Sequence, residues 1–250
     1  MPMISGKRVI AAMLTALMAV TFTANTAVSV YATGVTATEN AQTIDAQSTD
    51  AQALTPEEQK AQELQQVYDM PVESNGYKDW PQGPGTYGEA GIVMEVGTGT
   101  ILYAKNIDAH EYPASITKVL TALVALENGQ LTDNVTFSHD SVAFLQRGDS
   151  SVGLKEGNVI TLDQAMHAML LASANEAAYA IGESVGVNAG HDYNWFIEQM
   201  NSRCKELGGE NSNFANTNGL HDPNHYTCAR DMALIGRELF KHPEFFQIVQ

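Results

Sequence analysis

Apolar residues fall at positions 116, 119, 120, 123, 124 and 126, a 3.6-residue period covering most of a helix surface. The pattern predicts a buried helix entered from the loop Tyr112-Pro113-Ala114 and ended at Asn128-Gly129, where a glycine suits the cap. Four more helices follow. One opens on the capping box Thr161-Leu162-Asp163-Gln164 and runs through Leu170, one covers Glu176–Ser184, one covers Asp192–Leu207 and stops at Gly208-Gly209, and one covers Ala229–Lys241. Ahead of them, Glu89–Val96 and Thr100–Lys105 predict a hairpin turned by Gly97-Thr98-Gly99. Residues 131–160 mix short strands with a short helix near 140–146. The class is therefore α+β, a helical lobe with an antiparallel hairpin. Two strands alone make a marginal sheet, and nothing between 106 and 250 supplies an obvious partner. The expectation is that the fold is completed by strands beyond this chain.

The front of the chain follows a different pattern. Lys7-Arg8 precedes an apolar run from Val9 to Val20, interrupted only by Thr15, and small residues lead to a cleavage site after Val30-Tyr31-Ala32. Residues 1–32 are expected to be a secretory signal peptide, with an apolar run too short to span a bilayer comfortably. Residues 33–82, rich in Thr, Ala, Gln, Asp and Glu, are expected to be a flexible low-complexity stalk, with a marginal helix over Glu57–Tyr68. The folded domain is expected over 83–250, after the Pro81–Gly85 punctuation. This layout predicts a protein secreted across the cytoplasmic membrane to the extracellular, cell-wall face. The net charge of −16 argues against nucleic-acid or anionic-membrane partners. Cys204 and Cys228 match no zinc spacing; a secreted location permits a disulfide between them, and two free, buried thiols are the favoured expectation.

The chemistry sits on the central helix. Ser115 stands at its mouth and Lys118 lies one turn on, on the same face. A lysine on an apolar helix either snorkels to the surface or is buried with partners. In a second stretch, Leu170-Leu171-Ala172-Ser173-Ala174-Asn175-Glu176-Ala177-Ala178, one apolar helix ends and Ser-Ala-Asn sits in the break before the next. Ser173 or Asn175 could cap the helix that follows, or meet Ser115 and Lys118 at depth. In a poorly solvated site Lys118 can act as a neutral base, drawing the proton from Ser115 as its oxygen attacks a carbonyl. Ser173 would pass the proton to a leaving amine, and Asn175 would orient Lys118 and hold a substrate amide.

Ser115-Ile116-Thr117-Lys118 with Ser173-Ala174-Asn175 resembles the active-site pair of penicillin-recognising serine enzymes. In the same order, Gly153-Leu154-Lys155-Glu156-Gly157, Asn216-Thr217-Asn218-Gly219-Leu220 and Asn224-His225-Tyr226 resemble the serine-type D-Ala-D-Ala carboxypeptidases, the low-molecular-mass penicillin-binding proteins. The resemblance covers about 86–245. It implies a β-lactamase/transpeptidase-like fold, Ser115 as acylated nucleophile, Lys118 as its base, and Ser173 and Asn175 as the second motif. It implies the peptidoglycan stem peptide ending in D-Ala-D-Ala as substrate, β-lactams as covalent inhibitors, and no metal or organic cofactor. A membrane anchor would lie in a C-terminal segment beyond Gln250.

Three departures stand out. The family's Lys-Thr-Gly motif is absent from the 250 residues, Glu176 stands where Asp is frequent, and Cys228 stands where a small hydroxyl residue is usual. The first is expected if the chain is the N-terminal part of a longer protein. The alternatives are a β-lactamase of the same superfamily, for which Glu210 lacks the expected flanking pattern, and a non-catalytic wall-binding fragment. His221 and His225 cannot form a helical metal pair across Pro223, and His225 is expected to brace its loop. Trp195, Phe196 and Met200 are expected in the core.

Overall fold

A computed structural model describes residues 54–250. The expected signal peptide and the stalk as far as residue 53 lie outside the described residues. The chain runs α1 (Pro56–Asp69), β1 (Gly91–Met94), β2 (Ile101–Lys105), α2 (Thr117–Asn128), β3 (Asn134–Thr136), α3 (His139–Ala143), β4 (Val159–Thr161), α4 (Leu162–Leu171), α5 (Asn175–Asn188), α6 (Tyr193–Glu206), α7 (Ala229–Leu239) and α8 (Pro243–Ile248). Short 3₁₀ turns at Glu73–Gly76 and Ala114–Ile116 precede the hairpin and α2.

The architecture is α+β. Among the described residues β1 and β2 form one antiparallel ladder, Gly91 opposite Lys105, and β3 and β4 form another, Val135 opposite Ile160. The left-handed Gly99 closes the first hairpin, as its sequence demands. Helix α2 is the centre of the helical lobe and touches α4, α5, α6 and α7. Its Leu120 and Leu123 meet a core that includes Met166, Ile181, Phe196 and Met200, all fully buried. Trp195 packs at that core's margin. Both parts of the Thr161/Gln164 capping box form, and Gly208 ends α6 in the left-handed region. Gly129 ends α2 at the expected place by another route, since its backbone is extended (φ −134°). Helix α8, begun by Pro243 at its first turn, is an addition to the elements the periodicity predicts.

The stretch from 54 to 82 differs from a free stalk. Thr55 and Glu58 cap α1 reciprocally, and the segment after it docks on the hairpin. Trp80 Nε1 donates to Leu102 O at 2.9 Å, Ala104 N to Ser74 Oγ at 3.2 Å, and Lys105 Nζ to Val67 O at 2.6 Å and Thr86 O at 2.7 Å. Composition hid this because the bonds that dock the segment join polar groups to backbone atoms far away in the chain. No residue of α1 is buried, so apolar content gave no sign of docking. β1, Ile116 and α7 bound an apolar groove of about 290 Å³, with Met94, Met232 and Phe240 in its walls.

Candidate active site

The tight turn Ala114–Ile116 delivers Ser115 half-buried at the mouth of α2 and rotates Lys118 inward, where only 3% of it is exposed. Snorkelling is therefore ruled out. The turn is strained, with Ala114 in the left-handed region at φ +47°. Gly219 makes the strain tenable. A Cβ there would lie 1.8 Å from Ala114 O, so only glycine lets the 216–220 loop close against the turn.

Lys118 Nζ has three oxygen partners: Ser115 Oγ at 3.1 Å, Asn175 Oδ1 at 2.8 Å and Asn218 O at 2.8 Å. These satisfy all three donors of an ammonium. When the amine is neutral, its two hydrogens go to the amide and carbonyl oxygens, which can only accept. The lone pair is then left facing the Ser115 hydroxyl. Burial pushes the Lys118 pKa down to about 8, against an opposing pull from the Glu176 carboxylate.

Ser173 Oγ donates to Ser115 Oγ at 3.0 Å. Ser173 is itself left-handed (φ +56°), which turns its side chain toward Ser115. Asn175 is the first residue of α5, and Ala174 is its N-cap with no side-chain capping bond. The capping role open to Ser173 and Asn175 is thus not used; their polar groups are directed to Ser115 and Lys118 instead. The structure brings all four predicted residues, Ser115, Lys118, Ser173 and Asn175, into one hydrogen-bonded cluster.

Behind the cluster, His225 braces two segments. Its Nδ1 accepts from Ala215 N at 3.0 Å, which assigns the proton to Nε2 for donation to Thr117 Oγ1 at 2.8 Å. Burial lowers the His225 pKa to about 4, consistent with a neutral ring. Thr121 Oγ1 ties α2 to Thr217 O at 2.7 Å. Two contributors have no role assigned by the sequence motifs. Gly219 signals itself only as a glycine amid polar loop residues, and Asn218 acts through its backbone oxygen and leaves no side-chain signature. Cys204 and Cys228 are free and buried. Cys228 caps α7, its Sγ accepting from Asp231 N at 3.4 Å, the position a hydroxyl would fill.

A family model described as D-alanyl-D-alanine carboxypeptidase, peptidase S11, matches residues 81–250. The D-alanyl-D-alanine carboxypeptidase DacF of Bacillus subtilis is 33% identical over 159 residues, 62% of this chain and 39% of that protein. DacA of Haemophilus influenzae is 33% identical over 163 residues, 63% of this chain and 40% of its own. The chain thus spans about two fifths of the length of these relatives. Among solved structures, penicillin binding protein 5 from Haemophilus influenzae superposes with a TM-score of 0.60 at 31% identity, covering 67% of this chain and 49% of that one. The Streptomyces K15 DD-transpeptidase gives 0.58 at 29%, covering 63% of this chain and 62% of that one. The four-residue cluster therefore sits on a penicillin-binding, DD-peptidase fold, and the chain belongs to the D-alanyl-D-alanine carboxypeptidase family.

Proposed function

We propose that this chain carries the nucleophile and base of a serine D-alanyl-D-alanine carboxypeptidase, which removes the terminal D-Ala from peptidoglycan stem peptides. The observation that carries the reading is the Lys118 amine, held by two carbonyl-type oxygens with its remaining direction on Ser115 Oγ at 3.1 Å. Ser115 Oγ attacks the carbonyl carbon of the D-Ala–D-Ala bond and its proton passes to Lys118. The Ser115 backbone N–H, at the turn into α2, stabilises the developing oxyanion. As the C–N bond breaks, the leaving amine takes a proton relayed through Ser173. The ester on Ser115 is then cleaved by water, which restores the hydroxyl. Asn175 fixes Lys118 with its Oδ1 and offers its amide N–H to the substrate. β-Lactams would acylate the same oxygen.

The expected setting is the outer face of the cytoplasmic membrane, reached through a signal peptide at 1–32, with a role in cell-wall remodelling and cell shape. Membrane attachment through a C-terminal segment belongs to the same reading. The test is a labelled penicillin, with the adduct mapped by mass spectrometry. A long-lived adduct on Ser115, lost in Ser115→Ala, is expected. Rapid turnover of the penicillin would instead favour a β-lactamase. Wall binding that is the same with and without Ser115→Ala, and no adduct in either, would favour a non-catalytic role.

A further inference from the structure

Glu176 is fully buried, one residue after Asn175, yet it contacts no member of the four-residue cluster by hydrogen bond. Its Oε1 accepts three donors from one exposed turn: Ser151 Oγ at 2.7 Å, Val152 N at 2.8 Å and Gly153 N at 3.1 Å. Its Oε2 is buried with no partner. The same turn is held a second time, by Asn175 N donating to Ser150 O at 2.9 Å. Residues 150–153 and the first two residues of α5 are therefore joined at two consecutive points. One of those residues, Asn175, is the one that grips Lys118.

A solvent-facing turn does not need a buried carboxylate. Three donors on one oxygen and none on the other is an expensive arrangement for a surface loop. It is explained if the turn serves as the anchor for Glu176 rather than the reverse. The backbone just upstream is strained at Ser173, so the start of α5 needs external bonds to hold its position.

We propose that Glu176 is a positioning residue for the Ser115–Lys118 pair: locked to the 150–153 turn, it fixes the start of α5, and with it Asn175, and places a carboxylate one residue from the amide that holds the lysine. This rests on the reading of Lys118 as the base. The charged environment of Lys118 is simple. From α5 comes Glu176, from the Ala114–Ile116 turn the neutral Ser115, from α2 the neutral Thr117, from the 216–220 loop the Asn218 carbonyl, and behind Thr117 the neutral His225. Glu176 supplies the charge that favours the protonated lysine.

The test compares Glu176→Gln, Glu176→Asp and Glu176→Ala in the 250-residue chain, with two readouts that need no turnover. Competitive amine labelling across pH, read by mass spectrometry, gives the titration of Lys118. Hydrogen exchange gives the protection of the Val152 and Gly153 amides. Glu176→Gln is isosteric and is expected to keep the fold while moving the Lys118 titration to lower pH, because the opposing charge is gone. Glu176→Ala is expected to speed exchange at 152–153 by about tenfold or more, the scale of losing bonds to a charged acceptor. Glu176→Asp, which keeps the charge, is expected to return the titration toward its original position. If Glu176→Ala does not fold, the Gln and Asp variants carry both readouts. An unmoved Lys118 titration in folded Glu176→Gln overturns the proposal even if exchange rises, since Glu176 would then only hold a loop. Absence of a penicillin adduct in the unmodified chain would count against the proposed function while leaving both readouts interpretable.

Discussion

Two lysines among the described residues have almost no exposed surface and differ in one partner. Lys105, on β2, is fully buried and donates to two backbone oxygens, Val67 O and Thr86 O. Lys118, on α2, is 3% exposed and donates to two carbonyl-type oxygens and one hydroxyl. Burial lowers the pKa of both. The difference lies in the third partner. Lys105 meets only oxygens that carry no proton, so a neutral amine there has nothing to deprotonate. Lys118 meets Ser115 Oγ, which has a proton to give. A lowered lysine pKa is thus no signature of a base by itself; the proposed role of Lys118 rests as much on the hydroxyl within its reach. Lys105 reads as a strut that binds α1 to the hairpin.

The comparison is broken most severely by removing the amines. Lys118→Met, which keeps an unbranched stem as far as Cε and removes the amine, should slow acylation of Ser115 by a labelled penicillin by about 10²–10⁴. The chain should remain folded by circular dichroism. Acylation at an unchanged rate would remove the distinction between the two lysines.

Next in size is a change that leaves both lysines intact. Gly219→Ala places a Cβ 1.8 Å from Ala114 O at a φ of +84°. Either the 216–220 loop withdraws, taking Asn218 O from Lys118, or the Ala114–Ser115 turn gives way. A displacement of that order should cost about 10² in acylation rate. The measurement is the acylation rate beside the melting temperature, and unchanged kinetics would show that the loop does not position the pair.

Smaller still is the effect of pH. With a Lys118 pKa of about 8, roughly a tenth of the amine is neutral at pH 7 and half at pH 8. Acylation should rise about fivefold over that interval and level off above about pH 9. The linkage to stability has the same sign for both lysines. Their folded pKa values lie below the ordinary 10.5, so the folded chain sheds a proton that the unfolded chain still binds. For Lys118 the cost of burying charge is present below about pH 8 and is relieved as pH rises toward 10.5. A rate that falls from pH 7 to 8 would contradict the assignment of Lys118.

The lysines also mark what could be read from sequence. Helical periodicity and caps located α2 and α4–α7, because these elements bury apolar faces. Ser115, Lys118, Ser173 and Asn175 were legible because two short polar motifs, each common alone, interrupt apolar helices and stand together in the order of the family they resemble. Asn218 was legible only as part of the Asn216–Leu220 segment and without a role, because it works through its backbone oxygen. Lys105 was not, because its partners are carbonyls 38 and 19 residues away, which no local pattern encodes. The docking of α1 was hidden for the same reason. Glu176 reads in the sequence as a mild substitution, yet it holds three donors of a turn more than twenty residues upstream.

The smallest effect on acylation, and the sharpest test of the contrast, belongs to Lys105. In Lys105→Met, Thr86 O loses its lysine donor, and Val67 O keeps only the long 3.3 Å bond from Met70 N. The lost bonds to a charged group should cost about 1–3 kcal/mol, partly offset because the buried charge is also removed. Because α1 buries no residue of its own, the loss should appear first as faster hydrogen exchange through Pro56–Asp69, with α2 and α5 unchanged. Acylation should stay within about twofold of the original rate, since no bond of Lys105 reaches the Ser115 cluster. A large fall in acylation, with exchange in α2 undisturbed, would mean that the strut and the site are coupled and that the two lysines do not do separate jobs.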